Sequence, residues 1–434
     1  MSSAKAPSYL TVLRLPGAAR TFGAALVARS AYGIVFLALV LTVERATGSY
    51  AVAGGVLAVF GLTSSLLAPY RARLIDRHGA HRALLPMAVG CATLLGLFAA
   101  VGWQPGASRA ALWVLGAAAG ACAPPLGPFM RTLWRELVAD DEQLLQRAYS
   151  LDTVAEDLLY VVGPLLTGAL TALAEPALAV LSSAVLLLGG TAVLATSPVA
   201  ASFRGAVTPP DTGGERASVP PRRQRRWWVG LVDPVLVTAG LGACMGAFNL
   251  LAVAFADRHG AAASVSWVSA ALAVSSALGG LLYGAVRWRL STRTRLPLLT
   301  ALLGVFCVLS GQATGMVGLV ALAGAVGFLM APTLTTAYLI AGEVDSESRG
   351  TEAGTWVNTA FNTGNAAGSA GIGLLLSPLP LAWCYAVTGA FVLLPAAIAA
   401  LSGTARKIGR SNPGDIPPTA ATLNSSEGET PWRE

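Results

Sequence analysis

Runs of about twenty apolar residues recur along this chain, and no other feature limits its fold so strongly. Each run is long enough to cross a hydrocarbon core of ~30 Å as a helix. They fall at 22–43, 51–69, 83–101, 110–130, 150–173 and 176–196, and then at 234–255, 264–286, 296–314, 317–340, 352–376 and 381–401. A backbone in lipid must satisfy its own hydrogen bonds, so these runs are predicted as helices. Only 12% of the 434 residues are charged, about half the share of a soluble domain. A soluble globular protein is thereby excluded.

The loop charges give an orientation. With the N-terminus inside, one face of the membrane receives 25 Lys and Arg residues and the other only Arg45, Arg109 and Arg258. Basic loops stay cytoplasmic, so both termini are predicted there. The net charge of +7 belongs to this asymmetry and not to a nucleic-acid partner. The first run reads as a signal anchor. The expected divisions are a cytoplasmic segment 1–21, a six-helix bundle 22–198, a central linker 199–232, a second bundle 233–402 and a disordered tail 403–434. The end of the linker, Arg222-Arg223-Gln224-Arg225-Arg226-Trp227-Trp228, has the composition of a membrane-surface anchor. The five cysteines lie in apolar runs without metal-ligand spacing, so no metal or cofactor is expected.

Six spans, a gap and six more suggest a duplication. Cys122-Ala123-Pro124-Pro125-Leu126 precedes Met330-Ala331-Pro332-Thr333-Leu334 by 208 residues. Ser64-Ser65 precedes Ser275-Ser276 by 211, and the Gly163–Gly168 region precedes Gly364–Gly368 by about 200. The prediction is an all-α membrane protein of twelve transmembrane helices in two pseudo-symmetric six-helix bundles. A substrate site is expected at the interface between them.

The loop after the second span reads Ala72-Arg73-Leu74-Ile75-Asp76-Arg77-His78-Gly79-Ala80-His81-Arg82. It resembles the cytoplasmic signature of the major facilitator superfamily (MFS). Asp76, Arg77, Gly79 and Arg82 match, while Ala72 replaces the usual first glycine. The resemblance implies an alternating-access transporter of a small molecule. Asp76 can bond the positive end of a neighbouring helix. Arg77 and Arg82 can pair with carboxylates of the other half, forming a conformational latch. Gly163-Pro164-Leu165-Leu166-Thr167-Gly168 resembles the end of the superfamily's antiporter motif. Gly163, Pro164 and Gly168 are the residues expected to pack or bend the span, and the motif leans towards export.

A charge inside a span costs roughly 2.5–3.5 kcal/mol on an insertion scale. Arg29 is the clearest case: its head can snorkel towards the cytoplasm, or it can face a cavity or an ion pair. Glu156 and Asp157 lie at comparable depth and are candidates for proton coupling with Arg29, whereas Asp152 is expected at the interface. Asn358, Asn362 and Asn365 share one helical face, and the first two join the substrate-site candidates.

The leading reading is a bacterial, efflux-type, proton-coupled transporter, monomeric in the cytoplasmic membrane. Its partners are a small-molecule substrate, protons and the lipid bilayer. An importer or uniporter on the same fold, or a non-transporting sensor or scaffold, remains as an alternative. A membrane enzyme is disfavoured, because His78, His81 and His259 form no catalytic constellation and no Walker-type loop occurs.

Overall fold

The structure is a computed structural model that describes residues 8–138, 141–203, 221–260, 264–344 and 349–410, with side chains omitted at 221–226 and 403–410. Residues 1–7 of the expected N-terminal segment, the linker over 204–220 and the tail beyond 410 lie outside the described residues.

A short helix α1 (Tyr9–Leu13), capped by Ser8, precedes span one, α2 (Ala18–Thr47). Span two is α3 (Tyr50–Leu66) followed by α4 (Ala68–His78), bent by 40°. Span three is α5 (Ala80–Gly102). Span four is α6 (Arg109–Cys122) and α7 (Leu126–Val138). Spans five and six are α8 (Glu142–Leu173) and α9 (Pro176–Ala195), and α10 (Pro198–Ser202) closes the first half. The second half holds α11 (Pro221–Arg258), α12 (Val265–Ala285), α13 (Thr292–Ser310), α14 (Met316–Glu343), α15 (Gly350–Leu375) and α16 (Leu381–Arg410).

Among the described residues, ten of these units are long and apolar enough to span a membrane, and the bent pair α3–α4 makes an eleventh. The polar α15 takes the twelfth place. Two boundaries differ from the sequence expectation with consequences for the site. The fifth span begins at Glu142 under an Asp141 cap, not near 150. The fourth runs on to Val138. The stretch expected as the end of the linker is already helical from Pro221.

The prolines explain the breaks. A proline has no N–H, so the carbonyl four residues earlier loses its helical donor. Pro69 frees Ser65, Pro124 and Pro125 free Gly120 and Ala121, and Pro128 frees Pro124. Each freed carbonyl is taken by a side chain. Thr359 Oγ1 donates to Ser65 O at 3.1 Å, and Tyr32 Oη to Pro124 O at 2.8 Å. Arg71 Nη1 donates to Gly120 O at 2.6 Å and to Ala121 O at 2.7 Å.

Glycines let spans cross at backbone distance in both halves, as small residues do in membranes. A Cβ on Gly163 of α8 would lie 2.3 Å from the carbonyl carbon of Gly33 on α2. A Cβ on Gly364 of α15 would lie 2.1 Å from the Ala239 oxygen on α11. The duplication therefore repeats one contact: span one on span five, span seven on span eleven.

Candidate functional site

Four charged side chains, three of them buried and the fourth, Glu156, half-buried, form a chain inside the first half. Arg29 on α2 donates to Asp152 Oδ1 at 2.8 Å, and to the carbonyls of Gly127 at 3.1 Å and Leu126 at 3.3 Å. Arg131 on α7 lies 3.0 Å from the second Asp152 oxygen, an ionic contact without hydrogen-bond alignment. Arg131 Nη2 also donates to Glu156. Two cations thus meet two carboxylates, so the cluster is balanced where an unpaired charge would be costly. The second half covers it: the Arg131 guanidinium sits 3.7 Å from the ring centroid of Tyr338 on α14, a cation–π contact. Tyr338 Oη in turn lies 3.5 Å from Asn358 Oδ1 on α15.

Two seams join the halves at one end of the bundle, the arginine-rich end. In the first, α4 meets the start of α15. Asp76 accepts the backbone N–H of Glu352 at 2.9 Å and of Thr351 at 3.3 Å. A carboxylate on the positive end of a helix is favoured by both the free amides and the dipole. Arg73 pairs with the fully buried Glu352 at 2.5 Å. In the second seam, Gln146 on α8 donates to Tyr283 O at 2.8 Å and Val286 O at 3.2 Å, and Arg295 Nη1 donates to Gln146 Oε1 at 2.8 Å and Tyr283 Oη at 2.7 Å. Tyr9 Oη donates to Leu281 O. Deeper in, Ser276 Oγ donates to Asp157 Oδ2 at 2.7 Å.

These bonds reach as far as Asp157 on α8 and Thr359 on α15. Beyond Asp157, only Gly163 and Thr167 of α8 are buried, both against α2. Beyond Thr359, only Gly364, Gly368 and Ile372 of α15 are buried. The same two helices are thus enclosed at the arginine-rich end and open at the other.

Several expected positions move. Asp152 is not interfacial: it is fully buried, because α8 starts earlier than its apolar run. It is the ion-pair partner of Arg29, a place that Glu156 and Asp157 do not take. Arg77 and Arg82 are exposed and form no ion pair among the described residues; Arg73 bridges the halves instead. Gly79 holds the turn between α4 and α5 with φ of 82°, a conformation that suits glycine. Gly163 packs on Gly33, but Pro164 and Gly168 are exposed. Asn358 and Asn362 are half-buried. Sequence reasoning missed Asp152, Arg131, Arg73, Glu352, Gln146 and Arg295 as site residues. Arg71, Arg131, Arg147 and Arg295, assigned to loops, are buried.

Two helical halves closed at one end and open at the other define a multi-pass membrane transporter, not an enzyme. The chain belongs to the Major Facilitator Superfamily, whose family model matches residues 21–262. No curated protein matches in sequence. Among solved structures, a bacterial homologue of the iron transporter ferroportin in an outward-facing state is similar, with TM-score 0.69 and 16% identity over 89% of this chain and 99% of that one. The human organic anion transporter MFSD10 (TETRAN) is similar with TM-score 0.65 and 16% identity over 91% and 100%.

Proposed function

We propose that this chain exports a small molecule from a bacterial cytoplasm in exchange for protons, working as a monomer with both termini inside. In that orientation the arginine-rich end is cytoplasmic and the structure faces outward. Asp157 is the proposed proton carrier, and its bond to Ser276 is the observation that carries the reading. That bond crosses between halves, so it is made and broken as the cavity alternates. Glu156 is held by Arg131 and Asp152 by Arg29. Asp157, bonded to a hydroxyl, can exchange a proton without dismantling an ion pair. Arg29 then positions Asp152 and α7, and the half-buried Asn358 and Asn362 supply polar contacts for the substrate. The Asp76–α15 bond is the latch that releases when the halves rock.

Flux in proteoliposomes under an imposed pH gradient tests this. The compound panel includes drugs, sugars and organic acids, with organic anions and iron added because the proteins of similar fold are named as an organic anion transporter and a homologue of an iron transporter. The expected result is pH-driven movement of at least one compound. Asp157→Asn then abolishes accumulation against a gradient and spares equilibrium exchange. Undiminished pH-driven accumulation in Asp157→Asn would remove Asp157 from the coupling role.

A further inference from the structure

Arg71 belongs neither to the charged cluster nor to the latch, and its surroundings are unusual for a cation. It is buried at 4% exposure, and no carboxylate bonds it among the described residues. Its donors go to three carbonyls: Gly120 and Ala121 at the end of α6, and Ser64 at the end of α3. The C-terminal carbonyls of a helix lack intrahelical partners and carry a partial negative charge. A buried guanidinium is therefore compensated by two helix ends at once.

The need for it is written in the prolines. Gly120 and Ala121 are the carbonyls that Pro124 and Pro125 leave without their helical N–H donors; Gly120 O keeps one backbone bond, from Ala123 N at 3.2 Å. The duplication supplies a control. At the 208-residue offset, Pro124 matches Pro332 but Pro125 matches Thr333. At the 211-residue offset, Arg71 matches Leu282. Where the second proline is replaced by threonine, α14 runs unbroken from Met316 to Glu343 and the position of the cation is taken by an exposed leucine. Cation and second proline occur together in one half and are missing together in the other.

We propose that Arg71 is a positioning residue that pins the break of span two to the break of span four. The inner segment α4 is thereby held to the outer segments of both spans, α3 and α6. It carries the seam residues Arg73 and Asp76, so its tilt at the bend sets where the seam meets α15.

The test uses the full chain, purified, with spin labels at Tyr50→Cys and His78→Cys, two exposed positions on either side of the α3–α4 bend. Three versions are compared: the parent, Arg71→Leu, and Arg71→Leu combined with Pro124→Ala and Pro125→Thr. Arg71→Leu is expected to widen the distance distribution at least about twofold and to lower the apparent melting temperature by ~5 °C or more, since buried carbonyls lose their donors. The combined variant regains backbone N–H groups at both positions and is expected to recover the melting temperature but to keep the broad distribution, because α4 still lacks its tie to α6. A parental width in Arg71→Leu overturns the proposal, as does a combined variant that returns to the parental width. If Arg71→Leu yields no folded protein, the combined variant decides: a broad distribution supports the proposal, and a parental width or no folded protein overturns it.

Discussion

The two seams at the arginine-rich end occupy equivalent places in the duplicated halves, yet they close by different chemistry. Span two meets span eleven through Asp76, Arg73 and the buried Glu352. Span eight meets span five through Gln146, Tyr283 and a set of carbonyls, with Arg295 behind them. The offset that aligns Ser64-Ser65 with Ser275-Ser276 places Arg287 opposite Asp76. The second copy has thus lost the acid that bonds a neighbour's helix end. Hydration treats the two unlike. When the charged seam parts, Asp76, Arg73 and Glu352 regain water, which offsets much of the lost attraction. The polar seam offers little such return, since its bonds run mostly from side chain to carbonyl. The first seam is suited to switching and the second to holding the closed geometry.

Spin-label distances between His78→Cys and Leu290→Cys, two exposed positions at this end on opposite halves, measure how far the seams have parted. Arg73→Ala is expected to have the largest effect. It leaves a fully buried carboxylate with only the more distant Arg349, at 4.0 Å, to compensate it, and ~3–5 kcal/mol is the upper bound for a buried charge left without any partner. A closed population that survives this change would mean Glu352 is not held by Arg73. Gln146→Leu comes next. It removes two donated bonds and one accepted bond, at about 1 kcal/mol each, while Arg295 keeps Tyr283. An effect larger than that of Arg73→Ala would reverse the ranking of the seams. Tyr9→Phe is the smallest, at about 1 kcal/mol or less. Burial pushes the Tyr9 hydroxyl up to about 12 against an opposing pull from Arg147. Its folded value lies above the ordinary value of 10.0. Its contribution is therefore complete below pH 10 and is lost as pH rises through about 12. Parent and Tyr9→Phe should differ by the same amount at pH 6 and pH 9, and a difference that vanishes within that range would contradict this.

The spans, the duplication and the family were legible because each rests on a long or repeated pattern. Asp76 was legible as a helix-end ligand because its loop has a recognisable form. The charged cluster was not, for a geometric reason. Counting depth from apolar runs puts Asp152 at the membrane edge. The helix begins at Glu142, and ten residues of helix are ~15 Å, so Asp152 lies deep in the bundle. Asp141 followed by Glu142 was the available signal, a capping residue ahead of the first turn. Arg131 was hidden in the same way, because α7 outlasts its apolar stretch. Arg71 was legible only in retrospect: its role follows from carbonyls freed by prolines some fifty residues away, a pairing that no local pattern records.

In the proposed cycle, closure at the arginine-rich end and opening at the other are one motion. The direct measurement is two distances in the same reconstituted protein: His78→Cys with Leu290→Cys across the arginine-rich end, and Tyr50→Cys with Leu374→Cys across the opposite end. In the parent the first is expected to be short and the second long. Adding Arg73→Ala is expected to lengthen the first and shorten the second. If the first lengthens while the second stays fixed or lengthens too, the halves are merely coming apart, and alternating access through these seams is contradicted.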